Sequence, residues 1–183
     1  MAPRRIKLPR DILAAKLFRQ VQKIPYQISD FDETDHHLKE VVNTGIKQGD
    51  SRHKSLLFYN LLQQSNYVAD KVKTIFDWKD LPIPAEILGI LKKSGTRWVH
   101  DVVRFKVNDN YSVIVDCSWN LELKKKGFPV TEDWDGVSNT IPITPGKIDV
   151  YDLDKFNKEK HNIHIDKEEA MHFAEELNKW LRK

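Results

Sequence analysis

The chain has 183 residues, 40% of them hydrophobic and 31% charged, with five tryptophans and eight phenylalanines. That composition fits one soluble domain with a real core, or one domain with a short appendage, and argues against disorder. Thirty basic against 27 acidic residues leave a net charge of +3, too mild a balance to imply nucleic acid.

Taken in chain order, residues 1–10 carry Arg4, Arg5, Lys7 and Arg10 and read as a solvated basic terminus. The first twenty residues hold no apolar stretch of the signal-peptide kind, and no run approaches the length of a membrane span. Cys117 is the only cysteine, so no intrachain disulfide can form, and the expectation is a cytoplasmic protein. Asp11 offers an N-cap to a first helix with Ile12, Leu17, Val21 and Ile24 at helical spacing, which Pro25 stops. Gln27 to Asp35 is acidic and irregular, and a second helix is predicted from Asp35 towards Val42. Gly45, Gly49 and Asp50 mark a break. Ser51 then opens SRHKSLLFYNLLQQ, a mostly buried helix with Leu57, Leu61 and Gln64 on one stripe and Leu56 and Leu62 alongside.

Tyr67 to Trp78 reads as a strand, interrupted by Pro82 and Pro84, with a short helix predicted over Glu86 to Lys92. Trp98–Val107 and Tyr111–Trp119 form a hairpin with Asn108, Asp109 and Asn110 as turn residues. A loop-rich stretch containing Trp134 follows. A last helix is capped by Asp166, with Glu169 at the capping-box position and Ala170, Phe173, Leu177 and Trp180 as its apolar stripe. This order predicts an α+β fold with an antiparallel sheet: a domain over 11–150, then a C-terminal extension over 151–183 whose helix packs on it.

Three residues carry the candidate chemistry. Ser51 opens a helix, where unpaired N–H groups and the dipole favour negative charge; taken alone, a capping serine is the better reading by far, since serine is a preferred cap. His100 and Asp116 lie on the two arms of the hairpin. A three-residue turn sets residue 107 opposite 111, which places Asp116 opposite Val102 and diagonal to His100, roughly 7–8 Å apart. Setting 106 opposite 110 makes the pair direct. A two-residue turn sends the two side chains to opposite faces unless a bulge restores the phase. In the productive registers Asp116 orients the imidazole, and His100 takes the nucleophile's proton. A purely structural His–Asp bond is the other reading. A carboxylate inside the apolar run SVIVDCSW is costly without a partner. His36, His37, His161 and His164 read as surface histidines rather than zinc ligands, and His53 is expected to point away from Ser51. Trp78 and Trp98 read as core that could line a cleft; Asp133 and Asp135 could bind substrate or cap a turn.

GDSRHKSLLFYNLL resembles the nucleophile motif of the transglutaminase-like superfamily, a Gly-x-Cys followed by Lys and a small residue opening an apolar helix. Gly49, Lys54, Ser55, Leu56 and Leu57 match, and Ser51 stands at the cysteine position. HDVVRFKVNDNYSVIVDCSWN resembles the second motif through His100, Asp116 and Trp119, and VQKIPYQI is similar to the helix and Ile-Pro-Tyr that often precede the nucleophile. The likeness runs from about Ile12 to Thr140. It implies a papain-like core, with a nucleophile helix packed on an antiparallel sheet and Ser51, His100 and Asp116 as the triad. The implied chemistry is acyl transfer or hydrolysis of a peptide or protein amide, with no metal or organic cofactor; it is the mild charge and the lack of a long apolar run, not the likeness, that argue against nucleic-acid and membrane partners.

Serine is far less acidic than a thiol and weakens such a site. Three readings stay open: a pseudoenzyme that binds a peptide or amide, an inactivating substitution in a cysteine enzyme, and a serine hydrolase. Cys117 neighbours Asp116 and is expected on the opposite face.

Overall fold

A computed structural model describes residues 11–29, 34–146 and 148–183. The basic terminus expected over 1–10 lies outside the described residues, as does part of the irregular stretch after Gln27. Asp11 starts α1 (Ile12–Gln22) by accepting the Ala14 N–H at 3.0 Å. Its buried face is Ala14, Ala15, Phe18 and Val21, whereas Ile12 is 65% exposed. The packed face is thus built on Phe18 and Val21 with two alanines, and the exposed Ile12 falls outside it. Thr34 caps α2 (Asp35–Thr44).

The next helix, α3 (Ser51–Gln64), is capped by Asp50, which accepts the Arg52 N–H at 3.0 Å. Ser51 is therefore the first helical residue and not the cap. The buried row is Ser51, Ser55, Phe58 and Leu62; Leu57 and Leu61 are half-buried and Gln64 is exposed. That row lies one position around the helix from the leucine stripe the sequence suggests.

Beyond α3 come β1 (Ala69–Asp77), α4 (Ala85–Leu88), β2 (Arg97–Asn108), β3 (Tyr111–Val115), β4 (Val150–Asp152), α5 (Leu153–Lys158) and α6 (Lys167–Leu181). The fold is α+β: one four-stranded antiparallel sheet, order β3-β2-β1-β4, with flanking helices. The expected boundary between residues 150 and 151 falls inside β4, which pairs with β1.

The β2–β3 turn is the two-residue Asp109–Asn110, with Asn108 opposite Tyr111. A bulge between Lys106 and Asn108 then sets Lys106 opposite Ser112 and Val103 opposite Val115. The extra residue, Val107, restores the phase that a tight turn would have inverted.

β2 buries opposite faces in its two halves. Val103 and Phe105, with Val113, Val115 and Cys117, join Phe18, Val21, Phe58, Leu62 and Trp134 in one apolar cluster beneath α1 and α3. Trp98 belongs to a second cluster with Trp78, Phe76 and the α6 residues Phe173 and Leu177. Gly136 (φ +81°) closes the first cluster against the start of α1: a Cβ there would lie 2.3 Å from the Asp11 carbonyl oxygen. Asp166 caps α6 through the Glu169 N–H at 3.1 Å. Glu169 does not complete a capping box; its carboxylate accepts the Lys93 and Ser94 N–H groups instead, while Asp166 N–H donates to Ser94 Oγ. Among the described residues no helix is long and apolar enough to cross a membrane.

Candidate active site

The bulge decides whether His100 and Asp116 can meet. With Val103 opposite Val115, the register continues to place Asp116, just past β3, on the His100 face of the sheet and diagonal to it. The two meet: His100 Nε2 lies 2.8 Å from Asp116 Oδ2, and both residues are buried, His100 at 1% exposure. Asp116 Oδ1 accepts the Ser118 N–H at 3.0 Å, and Thr140 Oγ1 accepts the Asp116 N–H at 2.8 Å. Burial pushes the Asp116 carboxyl up, but the charge and hydrogen bond of His100 and the bonds from Ser118 outweigh it and hold its pKa below the ordinary value. The carboxylate at Nε2 engages that side of the ring, so Nδ1 is the nitrogen left to face the rest of the site. Among the described residues the hydrogen-bond partners of His100 are Asp116 and, at 3.4 Å, Ser118 Oγ, both at Nε2. Nδ1 is therefore the ring nitrogen with no protein partner among the described residues.

Ser51 and His100 line one cavity of about 200 Å³, together with Tyr26, Phe76, Trp98 and Ile165. Ser51 Oγ accepts the Asp101 N–H at 3.5 Å, one residue along the strand from His100. The start of α3 is held by Asp50, whose carboxylate takes bonds from Arg52 Nε and Nη2, His53 Nδ1, and the N–H and hydroxyl of Ser29. Burial alone would push the Asp50 carboxyl up, but the His53 and Arg52 bonds hold its pKa far below the usual range. His53 bonds Asp50 and is buried at 3% exposure, and a Cβ on Gly49 would lie 2.7 Å from its Cβ. Gly49 is thus the residue that admits this imidazole. Paired backbone bonds, Gln27 N–H to Gly49 O and Gly49 N–H to Pro25 O, lay Tyr26 beside the helix start. Its ring packs 4.5 Å from that of Trp119. Burial raises the Tyr26 phenol well above its ordinary pKa, so it stays neutral.

Lys54, fully buried, is the least expected feature. Its ammonium donates to the carbonyls of Gln22 at 3.3 Å, Ile24 at 2.7 Å and Ser118 at 2.7 Å. One side chain therefore ties the end of α1, α3 and the loop after Asp116. Burial pushes its pKa down to about 8. Cys117 lies in the cluster beneath α3, bonded to the Lys54 carbonyl, and burial pushes its thiol up to about 12. It is inert at neutral pH.

The structure therefore brings His100 and Asp116 into contact and puts Ser51 on the same cavity wall as His100, without a Ser51–His100 hydrogen bond. Asp50 as a buried anchor, Arg52, Ser118, Thr140 and Ile165 escaped sequence reasoning, and Lys54 entered it only as a motif match, not as a buried ammonium. Only Asp50 had a local signal, as an Asp just before an apolar helix. Trp78 and Trp98 are both core and cavity wall. Asp135 caps a turn through Val137 and Ser138, and Asp133 pairs with Arg19. His36, His37 and His164 are exposed; His161 is half-buried and stacked 4.1 Å from Phe156, so it is no free surface group. Among the described residues no group of three or more His, Cys, Asp or Glu is placed to hold a metal. Comparison with protein-family models, curated proteins and solved structures gives no match.

Proposed function

We propose that this chain is a transglutaminase-like scaffold for acyl transfer or peptide-amide hydrolysis, built on a papain-like core, with Ser51 as nucleophile position, His100 as base and Asp116 as the group that orients it. The reading rests on one observation: a buried His100–Asp116 bond of 2.8 Å that leaves Nδ1 unpaired, on the wall of the cavity that Ser51 lines from the start of a helix. In such a site Nδ1 takes the nucleophile's proton and Asp116 stabilises the imidazolium. The dipole of α3 favours the anion left behind. A serine there is a weak nucleophile, because its hydroxyl is far less acidic than a thiol. As written, the site is inactive or slow.

The alternative is a non-catalytic module of the same fold that binds a peptide or protein amide. It is favoured by the Ser51 hydroxyl's contact with the Asp101 N–H rather than with His100. Ser51→Cys tests the acyl-transfer frame. The introduced thiol is expected to react with iodoacetamide at pH 7 at least about tenfold faster than free cysteine, and to lose that advantage when His100→Ala is added. A rate equal to that of free cysteine would sink the triad.

A further inference from the structure

The cavity beside Ser51 has a neighbour. A second space of about 280 Å³ is lined by Arg52, Ser55, Lys71, Lys73, Asp101 and Leu153, among others. Arg52, Lys73 and Asp101 line both. Ser51 and Ser55 stand one turn apart on α3, one on each cavity, so the two spaces are halves of one groove along the helix start. A groove of this combined size holds a short peptide, the usual ligand pocket being about 300–1,000 Å³.

Its halves differ in chemistry. The Ser51 half carries the apolar side chains of Tyr26, Ile28, Phe76, Trp98 and Ile165 beside the charged residues it shares with the other half. Three cations and one carboxylate face the other half. Lys73 meets Asp101 at 2.8 Å, and Arg52 meets Asp50 at 2.8 Å, so those two are internally compensated. Lys71, two residues before Lys73 on the same face of β1, is exposed. Its recorded contact is the Tyr59 ring, 5.9 Å away, and no carboxylate partners it among the described residues. Among the described lining residues, Asp50 and Asp101 stand against Arg52, Lys71 and Lys73, one positive charge in excess.

We infer that the groove takes an acidic peptide, its apolar side chain in the Ser51 half and its carboxylate side chains against Lys71 and Lys73. The inference rests on the reading above for the role of Ser51, and on charge complementarity for the ligand. Such a ligand exchanges Asp101 for its own carboxylate at Lys73 and completes the pairing of Lys71. A basic peptide would meet uncompensated positive charge.

Acetyl-Phe-Gly-Glu-Glu-amide and acetyl-Glu-Glu-Gly-Phe-amide, covering both chain directions, and acetyl-Phe-Gly-Lys-Lys-amide are the probes. Alkylation of the Ser51→Cys protein by iodoacetamide is timed with each peptide at about 1 mM; at least one acidic peptide slows it about fivefold and the basic peptide leaves it unchanged. Lys71→Glu is expected to abolish that protection. Equal protection by acidic and basic peptides, no protection by any, or protection indifferent to Lys71→Glu overturns the inference. Fluorescence anisotropy of the same peptides, labelled, on the unaltered protein gives a readout independent of the thiol. Charge-selective binding with an unreactive thiol would defeat the acyl-transfer reading alone. A reactive thiol with no charge selectivity would defeat this inference alone.

Discussion

Replacing Lys54 with methionine keeps the volume of a buried side chain and removes its charge. Three carbonyls, those of Gln22, Ile24 and Ser118, then lose their donor. Each buried unsatisfied acceptor costs about 1–3 kcal/mol. Against this, the native fold holds a buried ammonium, and its displacement from 10.5 to about 8 is worth about 3 kcal/mol of charge burial that Lys54→Met relieves. The carbonyls outnumber the charge, so a net loss of about 3 kcal/mol is expected. For a chain of this size that lowers Tm by roughly 6–12 °C at pH 7, followed by circular dichroism.

The same residue sets a pH signature. Burial makes the folded ammonium release its proton more readily than the unfolded one, so between pH 8 and 10.5 the unfolded chain binds more protons. The contribution of Lys54 to stability is flat below that window and rises across it, by about 3 kcal/mol. The stability gap between the natural chain and Lys54→Met therefore widens as pH climbs from 7 to 10. A variant that melts at or above the natural Tm at pH 7, or a gap that narrows with pH, would refute the view that carbonyl coordination outweighs charge burial here.

Other positions give simpler tests. Asp50→Asn keeps the cap but removes the charge facing Arg52 and His53, and should cost about 3–5 kcal/mol in urea titration. Because the folded Asp50 carboxyl is depressed below its unfolded 3.8, its contribution is complete above about pH 4 and fades as pH falls further; the variant should lack that acid sensitivity. Gly136→Ala drives a Cβ to 2.3 Å from the Asp11 carbonyl oxygen at positive φ, and should destabilise by at least about 2 kcal/mol in the same assay. Asn178→Leu orphans the Ile28 N–H and carbonyl, which Asn178 bonds at 3.0 and 2.8 Å; a loss of about 2–4 kcal/mol is expected.

Elements with a local code were readable. The Asp11 and Asp166 caps, the Pro25 stop, the hairpin and the last helix all carry residues whose own backbone chemistry announces them. The His100–Asp116 pair was readable as a conditional: the costly carboxylate in an apolar strand demanded a partner, and the strand period restricted which register could supply one. What the sequence lacked was the bulge at Val107, since a tight Asp109–Asn110 turn and a three-residue loop differ by a single backbone irregularity. The short β4 and α5 were illegible because a three-residue strand has no period, and its existence depends on β1 offering an edge.

Lys54 and Asp50 were invisible for a different reason. Their partners are main-chain groups and side chains far along the chain, and a lysine or aspartate at a helix start ordinarily faces water. The geometry assigns both to one task. Asp50 fixes the start of α3 to the segment after Tyr26, and Lys54 fixes it to the end of α1 and to Ser118, which itself bonds Asp116. The backbone carrying Ser51 and the backbone carrying Asp116 are thus joined by one buried ammonium. The frame around position 51 is held by buried charges whose bonds outweigh their burial, and none of those bonds involves the side chain at position 51. Hence the Ser51→Cys thiol is the sharper probe of the site than any substitution of His100 or Asp116, each of which would also orphan a buried partner.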